Sequence, residues 1–243
     1  MFSLDAPPYR LSGTVYGVLL NDPASLQALG EAVSLPPYKA PPLGPVLYVK
    51  PRNTFSADGA SMAVPHGVAA LELGATVGLV IGRTACRVPA STALDHVAGL
   101  LLAADLSVPH RSFYRPSVPL RALDGSCFIS GRLAPLASAQ ALESLIIDVR
   151  IDGAHTASLA LGGMRRPAQT LLQDLSEFMT LDVGDLLLLG LKHGSPALRP
   201  GQRFTISAPG LGELGGSLVE EPGEQLRCTL EAPSSSAGAG GSL

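Results

Sequence analysis

Short runs of apolar residues, separated by turn-forming residues, recur along the whole chain, and this pattern is typical of strands. The largely apolar run Ala75–Ile81 predicts a buried strand, and so does Val46–Lys50. Leu145–Ile151 predicts a further strand, and Asp152-Gly153 after it favours a two-residue hairpin turn. The other predicted strands are Leu11–Leu20, Ala103–Ser107, Leu186–Leu189, Arg203–Ser207 and Gly216–Val219.

Three segments predict helices. Asp22–Val33 begins with Asp22 as a cap residue and Pro23 at the first helical position. Ser91–Leu102 opens with a Ser/Thr cap and leads into a strand. Ala168–Met179 is amphipathic, and its apolar face is formed by Leu171, Leu172, Leu175 and Phe178.

Composition supports a single domain with many turns. The 243 residues include 27 Gly and 21 Pro, about a fifth of the chain, which suits short strands better than a helical bundle. Pro36–Pro45 holds five prolines and predicts a loop. Residues 232–243, APSSSAGAGGSL, are too low in complexity to bury a core and are predicted to be disordered. We therefore expect one domain over residues 1–231, mostly strands with a few helices, in which residues 1–11 are a candidate flexible segment.

Charge and cysteine content exclude several classes of protein. The formal net charge is -3 and no Lys/Arg cluster exceeds Arg165-Arg166, so binding to nucleic acid or to an anionic membrane is not expected. The apolar runs are too short to span a bilayer, and the N-terminus lacks the pattern of a signal peptide. Cys86, Cys127 and Cys228 are far apart, which suggests neither a disulfide framework nor a zinc site. A cytoplasmic protein is expected.

Two segments carry a family resemblance. His66–Arg83 reads HGVAALELGATVGLVIGR, and Leu101–Ser107 follows it at a characteristic distance. Together with Lys50-Pro-Arg-Asn-Thr54 and Leu198-Arg-Pro-Gly201, their order resembles the fumarylacetoacetate hydrolase superfamily over roughly residues 12 to 222. The resemblance implies an α+β fold, a β-rich roll or sandwich with a few flanking helices, usually dimeric.

In that family three carboxylates, a Glu-x-Glu pair and an Asp, hold one divalent metal ion. Here Asp105 stands at the Asp position, whereas Gly74 and Thr76 replace the two glutamates. Mg²⁺ or Mn²⁺ suits such oxygen ligands. Because only Asp105 and the Thr76 hydroxyl remain, a Mg or Mn site is possible but doubtful on the sequence alone.

Within the family, several segments resemble the N-terminal half of the bifunctional isomerase/decarboxylases of 4-hydroxyphenylacetate (homoprotocatechuate) degradation, which also lacks the Glu-x-Glu pair. The segments are Tyr38-Lys-Ala-Pro-Pro42, Lys50-Pro-Arg-Asn-Thr54, Gly74-Ala-Thr-Val77 and Ser112-Phe-Tyr-Arg-Pro116. The resemblance implies decarboxylation of 5-oxopent-3-ene-1,2,5-tricarboxylate, isomerisation of 2-hydroxyhepta-2,4-dienedioate, or both.

A small 2-oxo acid with several carboxylates calls for cationic recognition groups. The expected substrate-binding residues are Lys50, Tyr114, Arg115 and Lys192. Asp105, His110 and Arg121 are the expected catalytic residues, because the imidazole of His110 can act as acid or base and Arg121 stands where the family has a Lys. The alternative for Lys50, Arg115 and His110 is that they are ordinary solvated or capping side chains.

Two hypotheses on function remain open from the sequence. The first is a decarboxylase/isomerase subunit with its own turnover. The second is a catalytically degenerate structural subunit that pairs with a homologous chain retaining Glu-x-Glu, since the departures from the family gather at site positions. Either a homodimer or a heteromer with such a chain is expected. A carboxylate-binding module without turnover is a third possibility without independent support.

Overall fold

The computed structural model describes residues 13–110, 112–114 and 117–221, together with the backbone of two short strands before them. This part of the chain forms two large sheets with short helices at their edges. The helices are α1 Pro23–Gln27, α2 Ala90–Ala93, α3 Val118–Arg121, α4 Ala139–Glu143 and α5 Ala168–Phe178, with 3-10 turns at Gly30–Ser34, Arg52–Thr54 and Leu94–His96. The strands are β1 Asp5–Ala6, β2 Tyr9–Arg10, β3 Val15–Leu19, β4 Val46–Lys50, β5 Phe55–Ser56, β6 Ser61–Val64, β7 Leu71–Ile81, β8 Val97–Ser107, β9 Cys127–Ile129, β10 Ile146–Ile151, β11 Ala154–Ala160, β12 Leu186–Leu188, β13 Ala197–Leu198, β14 Arg203–Ala208 and β15 Gly212–Glu220.

The smaller sheet has five strands in the order β11-β10-β14-β15-β6. All neighbours are antiparallel except β15 and β6. Asp152 and Gly153 join β10 to β11 with positive φ angles of 51° and 80°, the combination that a type I′ hairpin requires. The predicted two-residue turn is therefore confirmed.

The larger sheet has eight strands, with the path β4-β3-β12-β7-β8-β9-β5 and β13 paired to β7. Its centre is the antiparallel pair β7–β8, in which Gly74 lies opposite Asp105 and Thr76 opposite Ala103. Both strands are buried on both faces, which explains why their sequences are apolar at nearly every position.

The larger sheet is strongly curled. Lys50 on β4 and Asp105 on β8 are four strands apart, a separation of about 19 Å in a flat sheet at about 4.8 Å per strand. Their side chains nevertheless meet at 2.7 Å. The two edge strands β4 and β5 are also joined by only four residues, Pro51–Thr54. The sheet therefore nearly closes into a roll with an inner face, and the β-rich roll expected from the sequence is confirmed.

Two apolar clusters hold this architecture together. The larger cluster lies between the outer face of the roll, the five-stranded sheet and α5, and includes an edge-to-face pair of Phe128 and Phe204 with ring centroids 5.1 Å apart. The smaller cluster occupies one part of the inner face of the roll. Its buried members are Val15, Val80, Leu101, Ala103, Cys127, Ile129, Leu186 and Leu188.

Two of the predicted helices are wrong over much of their length. Ser91–Leu102 is a helix only at its start, and strand β8 begins at Val97, because an apolar run alone does not distinguish a buried strand from a buried helix. Asp22–Val33 breaks after α1 and continues as a separate 3-10 turn that begins at Gly30, whose φ is 53°.

Two predictions of burial are also wrong. Val46–Lys50 is a strand, but it lies at the edge of the sheet, and only Lys50 is buried whereas Val49 is half exposed. Phe178 at the end of α5 is 65% exposed, although Leu171 and Leu175 on the same helix are buried as predicted. The pattern thus identified the apolar face of α5 correctly, except that it included Phe178, which lies at the exposed end of the helix.

The remaining predicted strands and the loop at Pro36–Pro45 occur where expected, with boundaries that differ by a few residues. The helices of the described part of the chain are too short to traverse a bilayer. The single domain over residues 1–231 stays a prediction. The disorder expected for residues 232–243 lies outside the described residues, and for residues 1–11 only the β1–β2 backbone pairing is described.

Candidate functional site

A cluster of charged and polar side chains lies on the inner face of the roll. Residues that are paired across strands project on the same face, so Asp105 of β8 shares that face with Gly74 of β7 and Cys127 of β9. Tyr48 and Lys50, two residues apart on β4, both project onto this face. Arg121 reaches it from the end of α3. The curl of the sheet thus brings together residues from three distant parts of the chain.

Asp105 is the centre of this cluster and is fully buried. Lys50 Nζ lies 2.7 Å from Asp105 Oδ1, and Arg121 Nη1 donates to Oδ2 at 3.2 Å. Oδ1 accepts no well-aligned hydrogen bond, so its contact with Lys50 is a close ion pair. Two cations therefore surround one carboxylate in an environment where unpaired charges are costly.

The Lys50 ammonium uses its N–H groups within the protein. It donates to Ser126 Oγ at 2.8 Å and to the carbonyl oxygen of Arg121, in addition to the ion pair with Asp105. Lys50 does not line either of the cavities beside the cluster. In this arrangement Lys50 holds Asp105 and the end of α3 in place, rather than facing a ligand as expected from the sequence.

Tyr48 completes the shell around Asp105. Its hydroxyl donates to Asp105 Oδ2 at 2.5 Å, and burial together with the Asp105 charge raises the pKa of Tyr48 well above its usual value. The Arg121 guanidinium lies 4.9 Å from the ring centroid, a cation–π distance. The ring fits because Gly17 lies opposite it: a Cβ at Gly17 would stand 2.0 Å from Tyr48 Cζ.

The residues at the family's metal position do not fit a divalent ion. A Cβ at Gly74 would lie 2.7 Å from Leu191 Cδ2, so the side chain of Leu191 fills that space. The Thr76 hydroxyl donates to the Gly190 carbonyl at 2.7 Å. Burial raises the pKa of the Cys127 thiol to about 12, so it offers no thiolate.

The charges around Asp105 point the same way. A bound Mg²⁺ or Mn²⁺ needs several oxygen ligands that are free of other cations, but the only carboxylate of this cluster is already paired with both Lys50 and Arg121. Nowhere in the described ranges do three or more His, Cys, Asp or Glu side chains come together as a metal site.

Two cavities meet at Arg121. The first, of about 420 Å³, is lined by polar groups that include Glu72, His110, Arg121, Lys192 and His193. The second, of about 450 Å³, is mainly apolar and runs along β4. Leu19, Phe113 and Arg121 line both. Arg121 Nε is buried and makes no hydrogen bond within the described part of the chain, so it is an unsatisfied polar atom of a residue that lines both cavities.

Lys192 lies on the wall of the first cavity and is tied to the start of α1. Its Nζ is 3.3 Å from Asp22 Oδ1 and 3.2 Å from the Gly162 carbonyl, while the backbone N–H of His193 donates to Asp22 Oδ2 at 2.9 Å. Burial by itself would raise the pKa of Asp22, but these contacts outweigh it and the pKa lies below its usual value. Asp22 occupies the N-cap position of α1 as predicted, but its carboxylate makes no capping hydrogen bond and links α1 to the 190–195 turn instead.

The other predicted residues are placed as follows. His110 is half-buried on the first cavity, with Nδ1 2.8 Å from the Val108 carbonyl and Nε2 3.2 Å from Ser117 Oγ. Tyr114 lies on the second cavity, half exposed, in edge-to-face contact with Tyr38. Arg115 lies outside the described residues. The structure thus brings together Asp105, Arg121 and Lys50, and it places His110 and Lys192 on a cavity next to them.

Several site residues escaped the sequence analysis. Tyr48 and Glu72 lie two residues before Lys50 and Gly74, and the period of a strand alone would have placed each pair on one face. Ser126 directly follows Gly125, whose φ is 71°. Leu191 gives no sequence signal, because its contact with Gly74 depends on how the 190–195 turn folds over β7.

Comparison with known proteins places the chain in a family. The model of the fumarylacetoacetate (FAA) hydrolase C-terminal family matches residues 14–219. The chain therefore belongs to the fumarylacetoacetate hydrolase family, as the sequence pattern indicated.

The chain is 40% identical, over 94% of its length and 52% of the relative, to the 4-hydroxyphenylacetate degradation bifunctional isomerase/decarboxylase of Salmonella dublin. It is 37% identical, over 87% of its length and 48% of the relative, to the homoprotocatechuate catabolism bifunctional isomerase/decarboxylase of Escherichia coli. The chain thus spans about half the length of these curated relatives, which are decarboxylase/isomerase enzymes.

A solved structure confirms the fold. Fumarylpyruvate hydrolase from Pseudomonas aeruginosa, in complex with Mn²⁺ and pyruvate, superimposes with a TM-score of 0.75 at 24% identity. The match covers 90% of this chain and 96% of the other. Metal use therefore occurs on this fold, although the residues of the present chain do not match such a site.

Proposed function

We propose that this chain is a decarboxylase/isomerase subunit that binds a multi-carboxylate 2-oxo acid at the two cavities. The expected substrates are 5-oxopent-3-ene-1,2,5-tricarboxylate for decarboxylation and 2-hydroxyhepta-2,4-dienedioate for isomerisation, following the activities of the relatives. The observation that carries the proposal is that Arg121, a nearly buried cation whose Nε has no hydrogen-bond partner in the described part of the chain, lines both cavities.

Arg121 supplies the positive charge that both reactions need. When carbon dioxide leaves, the electron pair of the broken C–C bond moves through the conjugated chain to the 2-oxo oxygen, which becomes an enolate oxygen. A guanidinium N–H held in a buried site stabilises that oxygen without reorganising at the moment of reaction. Asp105 and Tyr48 hold the guanidinium in position, and Lys50 keeps the cluster positive overall.

We propose that no resident Mg²⁺ or Mn²⁺ takes part in this chain. Three observations support this. The Leu191 side chain fills the space at Gly74, the Thr76 hydroxyl donates to the Gly190 carbonyl, and Asp105 is already paired with two cations. The cationic groups of the cavity then bind the substrate carboxylates, with Lys192 and His193 on the wall that α1 and the 190–195 turn provide.

The test is decarboxylation and isomerisation by the purified chain, in the presence of either EDTA or Mg²⁺. We expect turnover that does not depend on metal, and we expect Arg121→Gln to lower kcat/KM by about 10²-fold to 10³-fold. Arg203→Gln, at an exposed position on β14, is the matched control and should keep full activity. Turnover that requires Mg²⁺, or an unimpaired and folded Arg121→Gln variant, would contradict the proposal.

A second function is favoured by one specific observation. The side chain of Leu191 fills the space at Gly74, and the Gly190 carbonyl accepts the Thr76 hydroxyl, so neither position can supply a metal ligand. This is expected for a structural subunit whose homologous partner carries the chemistry. If the chain alone turns over neither substrate, but raises the activity of a homologous chain that retains Glu-x-Glu, this second function replaces the first. A homodimer or such a heteromer remains the expected assembly.

A further inference from the structure

His110 and Ser117 form a hydrogen-bonded pair beside Arg121. His110 Nδ1 lies 2.8 Å from the Val108 carbonyl oxygen, which can only accept, so Nδ1 carries the proton. In the neutral ring Nε2 then has a lone pair. Ser117 Oγ lies 3.2 Å from Nε2 and donates its hydroxyl proton to it. The pair is thus a hydroxyl aimed at a base whose tautomer is set by a third group.

The surroundings fix this orientation. Ser117 precedes α3, where a serine usually accepts a backbone N–H of the helix, but its hydroxyl makes no such contact. It points to His110 instead. The His110 ring also packs against Phe113, with ring centroids 5.3 Å apart and planes inclined by 58°.

The pair connects the two cavities. His110 lines the first cavity, Ser117 lines the second, and Arg121 lines both. The other charged or titratable side chains on these walls are Glu72, Lys192 and His193 on the first cavity and Tyr48 and Tyr114 on the second. A 2-oxo acid whose oxygen is held by Arg121 therefore lies in a cavity whose wall includes His110 or Ser117.

We propose that Ser117 is a further catalytic residue, which passes a proton between the substrate and His110; this inference rests on the proposed isomerase function. In the first step Ser117 Oγ takes the proton of the substrate enol hydroxyl while its own proton moves to His110 Nε2. The products are an enolate oxygen held by Arg121 and an imidazolium.

In the second step the same relay returns the proton to a carbon of the conjugated chain. The enolate electron pair forms the carbonyl and shifts the double bonds, so that a new C–H bond takes up the proton. One O–H bond is broken and one C–H bond is formed, His110 is neutral again, and no oxidant or reductant is needed.

The test compares Ser117→Ala, Ser117→Thr and His110→Asn in the isomerisation of 2-hydroxyhepta-2,4-dienedioate, with deuterium incorporation from D₂O followed by NMR. We expect Ser117→Ala and His110→Asn to lower kcat by about 10²-fold or more, the usual size of acid–base catalysis, with KM changed by less than about threefold. Deuterium incorporation should fall in parallel. Ser117→Thr keeps a hydroxyl and should recover kcat to within about tenfold of the wild type.

Two matched controls are Ser144→Ala on the exposed end of α4 and His96→Asn at the opposite end of the β7–β8 pair from Asp105. Both should retain wild-type kcat. A Ser117→Ala variant with unchanged kcat, or one that changes only KM, overturns the relay and leaves the proposed function intact. A wild-type chain without isomerase activity defeats the isomerase part of the proposed function, and the relay with it, whereas decarboxylation by the same chain tests the other part separately.

A second measurement does not depend on how the variants fold. The ¹⁵N shifts of the His110 ring in the wild-type chain report which nitrogen is protonated when the ring is neutral. Protonation at Nδ1 is expected, whereas protonation at Nε2 would overturn the relay, because that nitrogen could not then accept from Ser117.

Discussion

The two ends of the inner face of the roll are built from the same strands but held together in opposite ways. At one end Leu101, Leu186 and Leu188 form an apolar cluster. Four residues further along β8, Asp105 is surrounded on the same face by Lys50, Arg121 and Tyr48. The apolar end gains stability from every Å² it removes from water, at about 25 cal/mol per Å².

At the polar end, stability depends on the balance between the cost of desolvating charges and their attraction for one another. Desolvating three charges costs several kcal/mol per ion, and their mutual attraction offsets this cost only when the geometry is good. A buried ion cluster is therefore weak grounds for stability, and its presence beside two cavities favours a functional reason. One face of the sheet therefore has an apolar end that stabilises the fold and a charged end that is better explained by the candidate functional site.

The largest effect is expected from breaking the ion cluster. Lys50→Met should lower the free energy of unfolding by about 3–5 kcal/mol, because it removes one partner of a buried charge. Adding Asp105→Asn should cost less than the sum of the two single changes, with a coupling of about 1–3 kcal/mol. Urea unfolding of the four proteins measures the coupling, and strict additivity would show that Lys50 and Asp105 do not interact.

A somewhat smaller effect is expected at the apolar end. Leu188→Ala leaves a cavity and should lower the free energy of unfolding by about 2–5 kcal/mol, whereas Leu188→Met conserves volume and should cost less than about 1.5 kcal/mol. Lys50→Arg, although conservative in charge, should remain severely destabilising, because a planar guanidinium does not fit the three oxygen contacts of the ammonium. Urea unfolding measures both changes. If Leu188→Met and Lys50→Arg lowered the free energy of unfolding equally, the apolar and polar ends would not differ in how they tolerate conservative substitution.

The smallest effect is expected at the pair of Asp22 and Lys192, which is less deeply buried than the cluster around Asp105. Asp22→Asn should cost about 1–2 kcal/mol at neutral pH, because the contacts of a charged acceptor are lost. The folded-state pKa of Asp22 is lowered, so its contribution is fully present above the usual value of 3.8 and is lost as pH falls through the folded pKa.

The pH dependence makes this third prediction specific. Thermal unfolding of the wild type and Asp22→Asn should differ most near neutral pH and converge as the pH drops below 3.8. Asp95→Asn, on the exposed part of the 3-10 turn after α2, is the matched control and should follow the wild type at every pH. A gap of constant size down to about pH 2 would show that the Asp22 charge does not stabilise the folded state.

Local patterns in the sequence determined much of the fold. The apolar run at Ala75–Ile81, the Asp152-Gly153 turn and the buried leucines of α5 follow from short-range propensity, and they were predicted. The order of the family segments also indicated the roll. The start of β8 was missed because pairing with β7 over ten residue pairs outweighs any local helix signal.

What only the tertiary structure decided is the state of the site. The sequence singled out Asp105, Lys50 and Arg121 as separate candidates and showed that Gly74 and Thr76 replace two carboxylates. It did not show that Lys50 pairs with Asp105, since that contact joins strands four places apart and exists only because the sheet curls. Nor did it show that Leu191 fills the space at Gly74. Contacts between residues far apart in sequence depend on how strands and turns are arranged in space, and no local pattern encodes that arrangement.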